Sequence, residues 1–133
     1  MKTNAFLSSL ALSVLLASAA QAEGLDASKP LICSLVEASQ CDGVAACAEV
    51  SLEEIELPAL WRVDFAAKQL SSADGTRTSP ITALETLDAV LVLQGHQSGR
   101  GWTIVVERAT GHLSMSAADA DGAFVLAGSC TAE

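Results

Sequence analysis

Tyrosine is absent from the 133-residue chain, and its one asparagine is Asn4. The first absence removes tyrosine chemistry, and the second removes N-glycosylation of everything beyond the N-terminal segment. Basic residues are scarce. Seven lysines and arginines face sixteen acids, for a formal charge of −9. A chain of that sign repels nucleic acid and anionic lipid, so neither is expected as a partner. The acids are scattered singly, the usual pattern of a solvated surface. A basic protein is the partner that the charge favours. Histidine occurs twice, at His96 and His112. No G-x-S-x-G or H-E-x-x-H motif is present, nor is there a C-x-x-C pair of the kind that zinc knuckles and redox centres use. A non-enzymatic protein is expected, with no cofactor and no metal.

The N-terminus carries the longest apolar run. Lys2 precedes a stretch from Ala5 to about Leu16, and Ala20-Gln21-Ala22 follows as a small-x-small site. This is the layout of a secretory signal peptide, too short for a comfortable membrane span. Residues 1–22 are read as the leader and residues 23–133 as one β domain, periplasmic or secreted. Loss of Lys2 makes the mature chain one unit more negative. No later run is long enough to cross a membrane as a helix, so no membrane insertion is expected after cleavage.

Export sets the reading of the four cysteines. In a small exported domain an even count points to disulfides. Cys33, Cys41 and Cys47 fall within fifteen residues, and Cys130 lies near the C-terminus. Of the three connectivities open to four cysteines, strand alternation favours Cys33–Cys130 and Cys41–Cys47. The second pair flanks the turn signal Asp42-Gly43.

Turn signals recur at Asp74-Gly75, Gly95 to Gly101, Thr110-Gly111 and Asp121-Gly122. Between them, apolar residues alternate with polar ones. Trp102, Ile104 and Val106 form one inward face, Leu113 and Met115 the next, and Phe124, Leu126 and Cys130 the last. Trp61, Val63 and Phe65 repeat the pattern upstream. "DAVLVLQG" is apolar on both faces, as in a strand covered on both sides. Pro80 places its strand at an edge, or at the start of a strand. Ser51 and Glu54 form a capping-box pattern ahead of Pro58, which predicts a short helical turn. Leu31 to Val36 suits either a helix or a strand. The expected fold is all-β with minor helical turns: a disulfide-stapled antiparallel meander or barrel of roughly six to eight strands. A two-sheet sandwich is the alternative.

The segment Gly95 to Gly101 is the candidate binding loop, with His96, Ser98 and Arg100 as its candidate residues. No helix follows it, which excludes a phosphate cradle, and a plain hairpin is the simpler reading. The Asp-rich stretch near Asp121 fails as an EF-hand, because Ala117 and Gly128 would occupy its first and last ligand positions. Glu107 and Arg108 are read as solvated residues beside a turn.

Leu91-Val92-Leu93-Gln94-Gly95, Gly101-Trp102, Thr110-Gly111 and the closing run Phe124 to Thr131 resemble a group of small exported proteobacterial proteins. The likeness extends to "CDGVAAC" and Leu57-Pro58. It implies export and a β fold; that group has no assigned activity. Separately, Ser98-Gly99-x-x-Trp102 is similar to the Ser-Gly-x-x-Tyr loop of periplasmic inhibitors of C-type lysozyme. In those inhibitors the loop's Ser and Tyr enter the lysozyme cleft. Trp stands here in place of Tyr, and alternation directs Trp102 to the core. That resemblance implies inhibition of a basic cell-wall hydrolase. The leading reading is a non-enzymatic periplasmic protein that binds a protein or small ligand, inhibition of the hydrolase is the second, and a small hydrolase is a third with no constellation of residues behind it.

Overall fold

A computed structural model describes residues 24–43 and 46–133. The expected leader over residues 1–22 lies outside them. Nine antiparallel strands run through the described residues: β1 (Leu31–Cys41), β2 (Cys47–Val50), β3 (Leu60–Asp64), β4 (Gln69–Ser72), β5 (Thr78–Thr86), β6 (Val90–Gln97), β7 (Arg100–Glu107), β8 (His112–Ala118) and β9 (Ala123–Ala132). From β3 to β9 each strand pairs with the next. β1 then pairs with β3 on one side and β9 on the other, closing an eight-stranded barrel. Closure leaves those strands without the free edges that invite association. β2 is additional and pairs with the far half of β1, from Ala38 to Cys41.

Alternation places the core. Leu31, Cys33 and Leu35 of β1, Trp102, Ile104 and Val106 of β7, and Leu126 and Cys130 of β9 are all buried. β1 is a strand, and its ambiguity has a cause. A bulge between Leu35 and Glu37 makes Val36 an extra residue. The buried positions therefore run 31, 33, 35 and then 38, while the exposed apolar residues Ile32 and Val36 supply the helical spacing with Leu31 and Leu35. In β6, Leu91 and Leu93 are buried while Val90 and Val92 are only half-buried. The wall of the barrel is a single layer, so the second covering expected for this strand is absent among the described residues. Pro80 lies near the start of β5, an interior strand.

The capping box forms: the Ser51 amide donates to Glu54 Oε2 at 2.7 Å, and the Glu54 amide donates to Ser51 Oγ at 3.1 Å. The segment makes one turn and stops short of a helix. Glu56 has a positive φ of 51°, the Glu56 amide donates to the Glu53 carbonyl, and the Leu57 amide donates to the Leu52 carbonyl. This is the termination pattern of a helix end, reached before a second turn begins.

Both disulfides join direct cross-strand partners. Cys33–Cys130 spans the β1–β9 seam, and Cys41–Cys47 joins β1 to β2. They mark an oxidising, non-cytoplasmic setting for the folded chain. Among the described residues no helix is long and apolar enough to cross a membrane.

The two ends of the barrel differ. At the base, the Leu25 amide donates to the Arg108 carbonyl, and Arg108 Nε donates back to the Leu25 carbonyl at 2.7 Å. Arg108 Nη1 also donates to the carbonyls of Leu87 and Asp88. Arg108 is thus a clasp and not the solvated residue expected. Above it, Leu31, Leu91, Leu93 and Val106 are fully buried. The opposite end, formed by the β4–β5, β6–β7 and β8–β9 hairpins, is where the interior opens.

Candidate functional site

The open end leads into a cavity of about 550 Å³ inside the barrel. Its walls come from the inward positions of the strands. Cys33, Leu35, Val63, Leu70, Ile104, Leu113 and Leu126 supply an aliphatic interior, while Trp61, Trp102, Met115 and Phe124 add larger side chains. Ile55 and Leu57, from the turn that Ser51 caps, lean in from one side. Of the fully buried side chains, Leu31, Leu91, Leu93 and Val106 do not line it, whereas Cys33, Val63 and Leu113 do, so the cavity ends against the packed base of the barrel.

Both indoles are held by hydrogen bonds. Trp102 Nε1 donates to Ser79 Oγ at 2.8 Å, and Trp61 Nε1 donates to the Pro58 carbonyl at 2.6 Å. Satisfying these N–H groups lets the rings face an apolar space without an unpartnered donor.

Polar residues gather at the rim, and strand parity explains which ones. Counting back by twos from Ile81 gives Ser79 and then Arg77. Counting back from Ile104 gives Trp102 and then Arg100, and counting forward from Met115 gives Ala117 and then Asp119. All three charged residues occupy inward positions at strand ends, and all three line the cavity together with Gln97, Ser98, Thr76 and Thr78. Arg100 Nη2 and Nε donate to Asp119 Oδ2 at 2.6 and 3.0 Å. Its guanidinium also lies 4.9 Å from the centroid of the Phe124 ring, within cation–π range. The Arg100 donors, followed by the backbone amides of Asp121 and Gly122, hold the Asp119 carboxyl below its ordinary range. Arg77 forms no ion pair among the described residues.

Of the three candidate residues read from the sequence, the structure brings Ser98 and Arg100 to the rim. His96 is exposed on β6 and is not part of the lining. The parity that points Gly95 inward, opposite Trp102, points His96 out. The expected loop is also shorter than its glycines implied. β6 continues to Gln97 and β7 starts at Arg100, leaving Ser98 and Gly99 as a two-residue turn with φ of 53° and 81°. Two positive φ values are those of the tight turn whose twist matches a hairpin. Arg77 and Asp119 were missed, although both follow from continuing the alternation past the last apolar residue, by two steps for Arg77 and one for Asp119. Among the described residues no three His, Cys, Asp or Glu side chains cluster as metal ligands would.

No family model matches the chain, and no curated protein and no solved structure matches it.

Proposed function

We propose that this protein is a non-enzymatic binding protein, exported to the periplasm or beyond, that takes a small apolar or amphipathic molecule into its barrel. The observation that carries this reading is the cavity. It is sealed at the base, walled by aliphatic and aromatic side chains, and open through a polar rim. Its volume of about 550 Å³ falls in the range of roughly 300–1,000 Å³ over which proteins enclose small ligands. The titratable side chains of the lining are Arg77, Arg100 and Asp119, and Asp119 is already engaged by Arg100. That set suits recognition of a head group better than proton transfer.

Both tryptophans of the chain line the cavity, which makes occupancy directly observable. Titration with the uncharged dye N-phenyl-1-naphthylamine is expected to give saturable one-to-one binding, with energy transfer from Trp61 and Trp102. Absence of any saturable signal would rule out the binding reading.

A second reading, inhibition of a C-type lysozyme, draws on the charge of −9 and on Ser98 and Arg100 standing exposed at one hairpin tip. It requires inhibition that weakens with added salt and on Ser98→Ala. Full lysozyme activity in the presence of excess protein ends that reading.

A further inference from the structure

We infer that the occupant is a single-chain amphiphile with an anionic head, of the long-chain carboxylate type. The inference rests on the binding reading above and names the ligand class for the same cavity. Two observations carry it. The first is the division of the lining into an apolar interior and a polar rim, which matches a molecule with a tail and one polar end. The second is the sign of the rim. The chain as a whole is strongly acidic, yet the charged residues of the lining are two arginines and one aspartate. The cavity lining is therefore net positive on a negative protein, with Asp74 and Asp121 of the same hairpins lying outside it.

The remaining basic residues among those described stand elsewhere. Arg108 clasps the base. Arg62 pairs with Asp64 and Glu133 on the outside of the wall, and Lys29 and Lys68 do not line the cavity. Arg77 is the arginine at the mouth without an ion pair among the described residues. A guanidinium offers a fork of donors that matches a carboxylate. Arg100, shared between Asp119 and the face of Phe124, adds a second positive charge at the same opening. A cationic amphiphile would meet both guanidinia there. An uncharged one would gain from the interior alone.

The test is a tryptophan-fluorescence titration of the intact, oxidised protein with three probes of equal chain length: dodecanoate, dodecanol and dodecyltrimethylammonium, each below its micelle concentration. Dodecanoate is expected to bind at least tenfold tighter than the other two. Arg77→Gln should weaken dodecanoate by about tenfold, the scale of one charge-assisted contact, and leave dodecanol unchanged. Asp119→Asn, which keeps an oxygen acceptor for the turn amides and frees Arg100, should tighten dodecanoate. Decanoate should bind about fifteenfold weaker than dodecanoate, because each of the two buried methylenes it lacks contributes about fourfold. Equal affinity for the acid and the alcohol, or an unchanged response in Arg77→Gln, overturns the inference while the binding reading stands. If the neutral naphthylamine dye and all three probes fail to bind, the binding reading falls with it. Arg77→Gln removes no ion pair, so an unaltered circular dichroism spectrum is the check that its effect is local.

Discussion

Gly95 lies directly opposite Trp102 across β6 and β7, and the indole occupies the space that a β-carbon on Gly95 would need. The same position also faces the carbonyl of Pro80 on β5. Glycine at position 95 is what lets Trp102 lie flat against the wall, reach Ser79 and present its ring to the cavity. Gly95→Ala is expected to push the indole off Ser79 and cost about 1–3 kcal/mol by overpacking. Chemical denaturation measures the loss, and a red-shifted tryptophan emission reports the displaced ring. Unchanged stability and emission would show that the wall yields more easily than this contact implies.

The two disulfides should differ in worth. Cys33–Cys130 closes a separation of 97 residues and Cys41–Cys47 one of 6. In the chain-entropy account, restricting the unfolded chain contributes about 5 kcal/mol for the first and about 2 kcal/mol for the second. Replacing Cys33 and Cys130 together by Ala should therefore destabilise the barrel more than replacing Cys41 and Cys47. Urea titration of both double variants checks the order, and a reversal would contradict it. Peptide mapping without reduction gives the connectivity itself.

Arg108 ties Leu25 to the base through reciprocal hydrogen bonds and holds the carbonyls of Leu87 and Asp88. Arg108→Ala leaves those carbonyls to water and removes one of the two hydrogen bonds that hold the strap. A loss of about 1–3 kcal/mol is expected, with faster amide exchange at Leu25. Protection at Leu25 equal to that of the wild type would mean that the strap holds by the Leu25 amide's bond to the backbone carbonyl of residue 108 and by its apolar contact with the core.

Asp74 predicts an acid limit. Ser72 Oγ, the Thr76 amide and Thr76 Oγ1 all donate to its carboxylate in the β4–β5 turn. These bonds, that from Ser72 foremost, lower its pKa from 3.8 to about 2. A carboxylate whose folded pKa lies below its unfolded value stabilises the fold at any pH above the unfolded value. That contribution is lost as pH falls through the folded one. The turn that carries Arg77 should therefore stay intact from neutral pH to near 4 and loosen toward pH 2. A carbon-detected NMR titration of Asp74 gives its pKa, and a value near 4 would contradict the reading.

Much of the barrel was legible because its wall is one layer thick and one face is wet. Trp102-Ile104-Val106 and Phe124-Leu126-Cys130 declare their inward faces in the sequence, and the same parity favoured the Cys33–Cys130 pair. β1 was ambiguous because Ile32 and Val36, apolar but exposed, complete a helical spacing with the buried Leu31 and Leu35. β2 left no trace because its four residues are exposed or half-exposed and offer no apolar face to read. The rim was only half legible. Glycines drew attention to the β6–β7 turn and so to Ser98 and Arg100, whereas Arg77 and Asp119 sit beyond the last apolar residue of their strands. His96 was included for its chemistry, and strand parity sends it outward.

The connectivity of the cysteines also constrains the order in which the chain matures. Delivered N-terminus first, the chain exposes Cys33, Cys41 and Cys47 long before Cys130. Cys33 must stay unspent until the last strand arrives, with two competing thiols close by. The separation of only 6 residues brings Cys41 and Cys47 together at once, and their bridge withdraws both competitors from exchange. The small outer disulfide thereby keeps Cys33 available for the strand that closes the barrel. Pulse alkylation during oxidation should catch a species with Cys41–Cys47 joined while Cys33 and Cys130 are still free.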